Sequence, residues 1–143
     1  HASRLSALPA LADDSGICVP ALGGAPGVQS ARYAGEPRSD AANNAKLIRE
    51  IAAHTDQSAY YYCVLVFVRH AEDPQPVIAE GRWQGELITK PRGEGGFGYD
   101  PLFLVPGEGG LTSAELSRER KAQLSHRGQA LQQLLARWHE TGL

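Results

Sequence analysis

The sequence contains no methionine, only two cysteines and no long apolar run in its 143 residues. With His1 at its head the chain does not start as a translation product starts, so a preceding segment is expected. Two cysteines cannot build a disulfide framework. Cys18 and Cys63 sit among Ile17, Val19, Val64 and Leu65, which reads as two small reduced core residues rather than a bridge or a metal pair. The longest apolar stretch, residues 63–68 with three tyrosines before it, falls far short of the ~20 residues of a membrane span, and no signal-peptide pattern is visible. Neither charge dominates: 14 basic and 16 acidic residues leave a formal charge of −2, a poor match to a nucleic acid polymer. Internal repeats and low-complexity tracts are also missing. A hydrophobic fraction of 42% with 21% charged residues excludes a disordered tail, a collagen-like repeat and a coiled coil. The length suits one domain spanning residues 1–143.

What is present is an α/β pattern. Residues 1–8 read as the tail of a helix stopped by Pro9. Residues 9–13 approach Asp13-Asp14-Ser15-Gly16, where a glycine turn is expected before a strand-like run resumes at Ile17. Residues 22–35 are glycine-rich and read as a loop. Ser39 can cap a helix running to about His54, with Leu47, Ile48 and Ile51 on one face. Residues 60–68 are apolar or aromatic throughout and predict a central strand buried on both faces. Ala79, Gly81, Trp83, Gly85 and Leu87 alternate with Glu80, Arg82, Gln84 and Glu86, the period of a strand with one wet face. These two strands read as an antiparallel hairpin. A further short strand is expected over residues 102–105, a capping box at Thr112 and Glu115, and a final helix from about Ser125 with Leu131, Leu134, Leu135 and Trp138 inward. The whole predicts an elongated mixed sheet flanked by helices.

Three constellations carry candidate chemistry. The adjacent carboxylates Asp13 and Asp14 either present one hard oxygen ligand to Mg²⁺ or belong to simple turn chemistry. Successive strand residues point to opposite faces, so one acid is expected to be ligand or base and the other structural. In Gly95-Gly96-Phe97-Gly98-Tyr99-Asp100-Pro101, glycines permit close approach of a flat ligand, an aromatic can stack on it and a carboxylate can accept hydrogen bonds. The alternative is a glycine-rich hairpin loop. The segment matches neither the lysine-bearing phosphate loop nor the dinucleotide fingerprint. Third, Ser125 as N-cap puts His126 and Arg127 in a first helical turn, near Lys121. A cation there is locally unfavourable, which suggests either an ion pair or donation to a ligand carbonyl or phosphate. Four cations against one acid between residues 118 and 127 favour a small anion.

Residues 8–16 (LPALADDSG), 22–27 (LGGAPG) with 30–33 (SARY), 95–101 (GGFGYDP) and 125–130 (SHRGQA) together closely resemble the inosine triphosphate pyrophosphatase (Ham1-like) family, bacterial type, along essentially the whole chain. The resemblance implies hydrolysis of ITP, dITP and XTP to the monophosphate and pyrophosphate, with Mg²⁺, by a cytoplasmic homodimer of Ham1-like α/β fold. It implies that Asp14 is proton acceptor and metal ligand, and that Ser15, Phe97, Gly98, Tyr99, Asp100, Lys121, His126 and Arg127 contact the substrate. An Arg127 or charged His126 donor would read the 6-keto group of the base. The family's opening Thr/Ser-x-Asn-x-x-Lys triphosphate loop and its metal-binding glutamate are not in these residues. The alternatives are a nucleotide-binding or dimerisation module without catalysis, and a related pyrophosphatase of modified pyrimidine triphosphates.

Overall fold

The computed structural model describes residues 10–140; the helix expected over residues 1–8 lies outside them. Strand β1 (Ala10–Cys18) pairs with β2 (Ser58–Val68), β2 with β3 (Val77–Leu87), and β3 with the short β4 (Phe103–Leu104). The order is β1-β2-β3-β4, and every pairing among the described strands is antiparallel. Helix α1 (Asp40–Ile51) follows β1, α2 (Arg118–Leu124) follows β4, and α3 (His126–Glu140) ends the described chain. Helices flanking a sheet make this the α/β architecture expected.

The β2–β3 hairpin follows directly from sequence period. Along β3 every second residue from Val77 to Leu87 is buried and the charged residues between them are exposed. Tyr61 faces Trp83 across the pair, and both rings meet Phe103 at centroid distances of 4.7 and 5.2 Å. This aromatic cluster joins Ile17, Val19, Leu47 and Ile51 in the main core, while Cys63, Leu65, Ala79, Ala130 and Leu134 form a second. Burying such side chains supplies the main driving force for the fold.

Five expectations are corrected. Asp13 to Gly16 do not turn; they run inside β1, in register with Leu65, Val64, Cys63 and Tyr62. Strand β2 is buried on one face only, since Tyr60, Tyr62, Val64 and Val66 on the other face are half-buried. Helix α1 ends at Ile51 rather than near His54, with Ser39 Oγ accepting from the Ala42 N–H at 3.1 Å as its cap. On α3, Leu134 is buried but Leu131 and Leu135 are 45% and 61% exposed. The helix lies too close to β3 for leucines: a Cβ on Gly81 would run into the His126 carbonyl oxygen and come within 2.9 Å of Ala130 N. Small Ala130 and the amide side chains of Gln129 and Gln133 fill that contact instead. Trp138 packs on Phe67 at 4.5 Å. The expected strand over residues 102–105 shrinks to Phe103–Leu104 behind a 3-10 turn, and helix α2 was not anticipated.

Candidate active site

A cleft of about 1020 Å³ opens between β1, the N-terminal end of α1, the residue 95–100 loop and the α2–α3 junction. Eight of the nine expected site residues line it: Ser15, Phe97, Gly98, Tyr99, Asp100, Lys121, His126 and Arg127. Three sequence segments separated by about 80 and 20 residues thus meet in one place.

β1 supplies its floor. A Cβ at Gly16 would sit 2.5 Å from the Gly27 carbonyl oxygen and 2.9 Å from Ser30 Oγ, so only glycine lets the turn of residues 27–32 approach. Ser30 Oγ in turn accepts from the Ile17 N–H at 2.9 Å and donates to the Gly27 carbonyl at 2.6 Å. Alternation along β1 then separates the two aspartates. Asp13 and Ser15 face the start of α3: Arg127 Nη2 lies 3.2 Å from Asp13 Oδ2 and donates to Ser15 Oγ at 3.2 Å. Asp14 points the other way and does not line the cleft. It is exposed, its carboxylate makes no hydrogen bond or ion pair with a described residue, and together with burial its charge raises the Tyr62 phenol pKa.

The glycine-rich loop is fastened rather than loose. Asp100 is buried, and its four acceptor positions are filled by the protein: Oδ1 accepts from Tyr61 OH at 3.0 Å and Ser113 Oγ at 2.9 Å, and Oδ2 accepts from the Phe97 N–H at 3.0 Å and Lys121 Nζ at 2.5 Å. Burial, then the Asp100 charge, pushes the Tyr61 phenol well above its ordinary value, so it stays a donor. Tyr99 is buried too and donates to the Ser30 carbonyl at 2.6 Å. Asp100 and Tyr99 therefore shape the cleft. Phe97 is 61% exposed, with Lys121 Nζ 4.9 Å from its ring centroid.

At the junction, Ser125 Oγ accepts from the Gly128 N–H at 3.0 Å and starts α3, as its sequence context predicts. A Cβ on Gly128 would collide with the Ala122 carbonyl, so glycine lets α2 and α3 meet so tightly. His126 stacks on Tyr61 at 4.7 Å with 10° between the rings. Burial, followed by the neighbouring Arg127 charge, lowers its pKa to about 4. The expected charged His126 donor is thereby corrected: near neutral pH the ring is neutral. Its Nδ1 and the Arg127 Nε are buried without a partner among the described residues.

Sequence reasoning missed Arg38, Asp40, Asn43 and Arg118, which also line the cleft. Asn43 had a signal: it sits four residues before Leu47 on the apolar stripe of α1, and it is buried, donating to the Ala31 carbonyl at 2.9 Å and accepting from the Ala34 N–H at 2.8 Å. Among the described residues, no three or more His, Cys, Asp or Glu side chains are grouped to hold a metal. Asp14 offers one hard carboxylate, which fits Mg²⁺ as that ion is commonly bound, through one or two carboxylates with phosphate oxygens and water.

A cleft with one exposed aromatic and several cations, on an α/β scaffold, has the chemistry that suits a flat, anionic small molecule. The family model that matches residues 1–137 is that of the Ham1 family, and the chain belongs to it. It is 68% identical over 140 residues to a dITP/XTP pyrophosphatase of Ralstonia nicotianae, covering 96% of this chain and 69% of that protein. A dITP/XTP pyrophosphatase of Chromobacterium violaceum is 62% identical with the same coverage. The structure of a HAM1 protein from Coxiella burnetii superposes with a TM-score of 0.93 at 46% identity, covering 98% of this chain and 72% of that one. No helix among the described residues is long and apolar enough to cross a membrane.

Proposed function

We propose that the protein is a pyrophosphohydrolase of noncanonical purine nucleoside triphosphates, converting ITP, dITP and XTP to the monophosphate and pyrophosphate. The observation that carries this reading is the single cleft that brings Phe97, Lys121 and Arg127 together with Ser15, in a chain 68% identical to a dITP/XTP pyrophosphatase. Phe97 offers a face for the base, and its exposed ring is positioned to stack. Arg127, held at Asp13 and Ser15, and the neutral N–H of His126 are donors for a 6-keto oxygen. Adenine presents an amino donor at that position, and a site built on hydrogen bonds rejects a mismatched base strongly. Lys121 supports the nucleotide from the edge of the cleft.

In the same reading Asp14 is the proton acceptor that the family motif implies. Because it lies outside the cleft, the triphosphate has to extend past β1 for a water beside Asp14 to attack the α-phosphorus, break the bond to the bridging oxygen and release pyrophosphate. Mg²⁺ at Asp14 would supply orientation and charge neutralisation on the phosphate oxygens. A cytoplasmic homodimer belongs to this proposal as well.

Pyrophosphate release over ITP, XTP, dITP, GTP, ATP and modified pyrimidine triphosphates, with Mg²⁺ present, tests it. ITP, XTP and dITP are expected to be the substrates turned over. Release from the pyrimidine analogues alone, or IMP binding without any release, overturns the reading.

A further inference from the structure

The two peptide groups of Gly98, the first of them shared with Phe97, are gripped from outside the loop by helix α1. The Gly98 N–H donates to Asp40 Oδ2 at 2.9 Å, and the Gly98 carbonyl accepts from Asn44 Nδ2 at 3.1 Å. Asp40 and Asn44 are four residues apart on α1 and so share one face of it. The remaining Asp40 oxygen accepts from the Arg38 guanidinium at 3.4 Å. Gly98 has a φ of +61° with nothing within 4 Å of a would-be Cβ, so its backbone conformation and not crowding calls for glycine. From the inner side, Asp100 takes the Phe97 N–H at 3.0 Å and returns its own N–H to the Phe97 carbonyl at 3.2 Å. Both peptide groups flanking Phe97 are therefore tied down, while its ring is 61% exposed at the cleft. A ring that exposed receives its orientation from its backbone rather than from packing.

We propose that Asp40 and Asn44 are positioning residues that set the plane of Phe97 for a purine base through the two peptide groups of Gly98. This rests on the reading of the cleft as a purine nucleotide site. Base affinity is then tuned from α1, at a distance from the phosphate chemistry, and two side chains 58 and 54 residues away in sequence govern the presentation of the loop.

The test is a double-mutant cycle read by IMP binding in calorimetry. Asn44→Ala and Asp40→Ala are expected to weaken IMP roughly five- to tenfold, the scale of one lost hydrogen bond, and to lose almost nothing further in a Phe97→Ala background. Asp40→Asn, which keeps an acceptor oxygen for the Gly98 N–H, should recover most of the loss. Inhibition by inorganic tripolyphosphate, which has no base, should be unchanged in Asn44→Ala, and in the two Asp40 variants it should not weaken, because removing the carboxylate frees the Arg38 cation. Equal weakening with and without Phe97, or no weakening, overturns the inference, as does a wild-type protein that binds no IMP. If Asn44→Ala does not fold, the Asp40→Ala and Asp40→Asn pair decides. Should wild-type bind IMP yet release no pyrophosphate from any purine triphosphate, the proposed activity falls while the clamp is still judged by the binding cycle.

Discussion

The Arg127 guanidinium spans Asp13 and Ser15, two residues on the same face of β1, and this divides the labour of the adjacent aspartates. Asp13 and Arg127 are both partly exposed, so their ion pair contributes at most about 1 kcal/mol to folding. Its effect belongs to ligand positioning. Asp13→Asn should raise KM for ITP severalfold with kcat little changed, the pattern of lost uniform binding. Asp14→Asn should instead lower kcat by about 10²–10⁴-fold, the range typical of a general base. Steady-state kinetics on the two variants check this, and the opposite pattern would exchange the roles. His126 makes a prediction about pH. Its folded pKa of about 4 lies below the usual 6.5, so the unfolded chain takes up a proton first as pH falls. Stability from this group is present above about pH 6.5 and is lost toward pH 4, by at most about 3 kcal/mol. Urea midpoints at pH 7 and 4.5 should diverge more for the wild type than for His126→Phe. At this scale the residues in the site motifs were legible, because glycines, capping serines and clustered cations are local features. The direction each side chain takes was not. Which aspartate faces Arg127 depends on the phase of β1, and that phase is fixed by its pairing with β2 some fifty residues on.

Helix α3 and strand β3 show what pattern reading can and cannot find. The alternation of Ala79, Gly81, Trp83, Gly85 and Leu87 specified β3 and its buried face directly. The helix against it was read from its leucines, and two of these are exposed. What holds α3 is a ladder at four-residue spacing. Gln133 Oε1 accepts from the Glu80 N–H at 2.7 Å, Gln129 Oε1 from the Arg82 N–H at 3.4 Å, and Arg137 donates to the Ile78 carbonyl. Strand β4 pairs only with Glu86 and Leu87, so the helix satisfies β3 backbone groups that would otherwise form an open edge. Polar residues in that service look in the sequence like a solvated face, and nothing local distinguishes the two. Gly81 is the residue on which this contact turns. Gly81→Ala should push the first turn of α3 outward, destabilise the fold by about 3 kcal/mol or more and lower Tm by roughly 10 °C. The same shift moves His126 and Arg127, so affinity for IMP should fall in parallel with Tm. Calorimetry and IMP binding on one sample check both, and an unchanged Tm would show that α3 does not press on β3 as described.

Across the whole molecule the formal charge is −2, which gives no general attraction for a nucleotide. The attraction is local. Arg38, Arg118, Lys121 and Arg127 line the cleft against Asp40 and Asp100. Lys121 is paired with Asp100, Arg38 with Asp40 and the partly exposed Arg127 with Asp13, which leaves Arg118, with no ion pair among the described residues, as the net positive contribution. Opposed charges in the same cleft confine the field to its walls, and at ~0.1 M salt exposed charges act over only about 10 Å. The consequence separates the two ends of the ligand. Raising salt from about 50 to 500 mM at fixed Mg²⁺ should raise KM for ITP severalfold, because screening acts on the triphosphate. Binding of inosine, which carries the base and no phosphate, should stay nearly level, since stacking on Phe97 and hydrogen bonds from Arg127 and His126 are short-range. Arg118→Gln, which removes the unpaired cation at the start of α2, should flatten the ITP salt dependence without altering inosine affinity. Equal salt sensitivity for the two ligands would mean that these cations do not meet the phosphates, and the cleft would then have to be read as a site for the base alone.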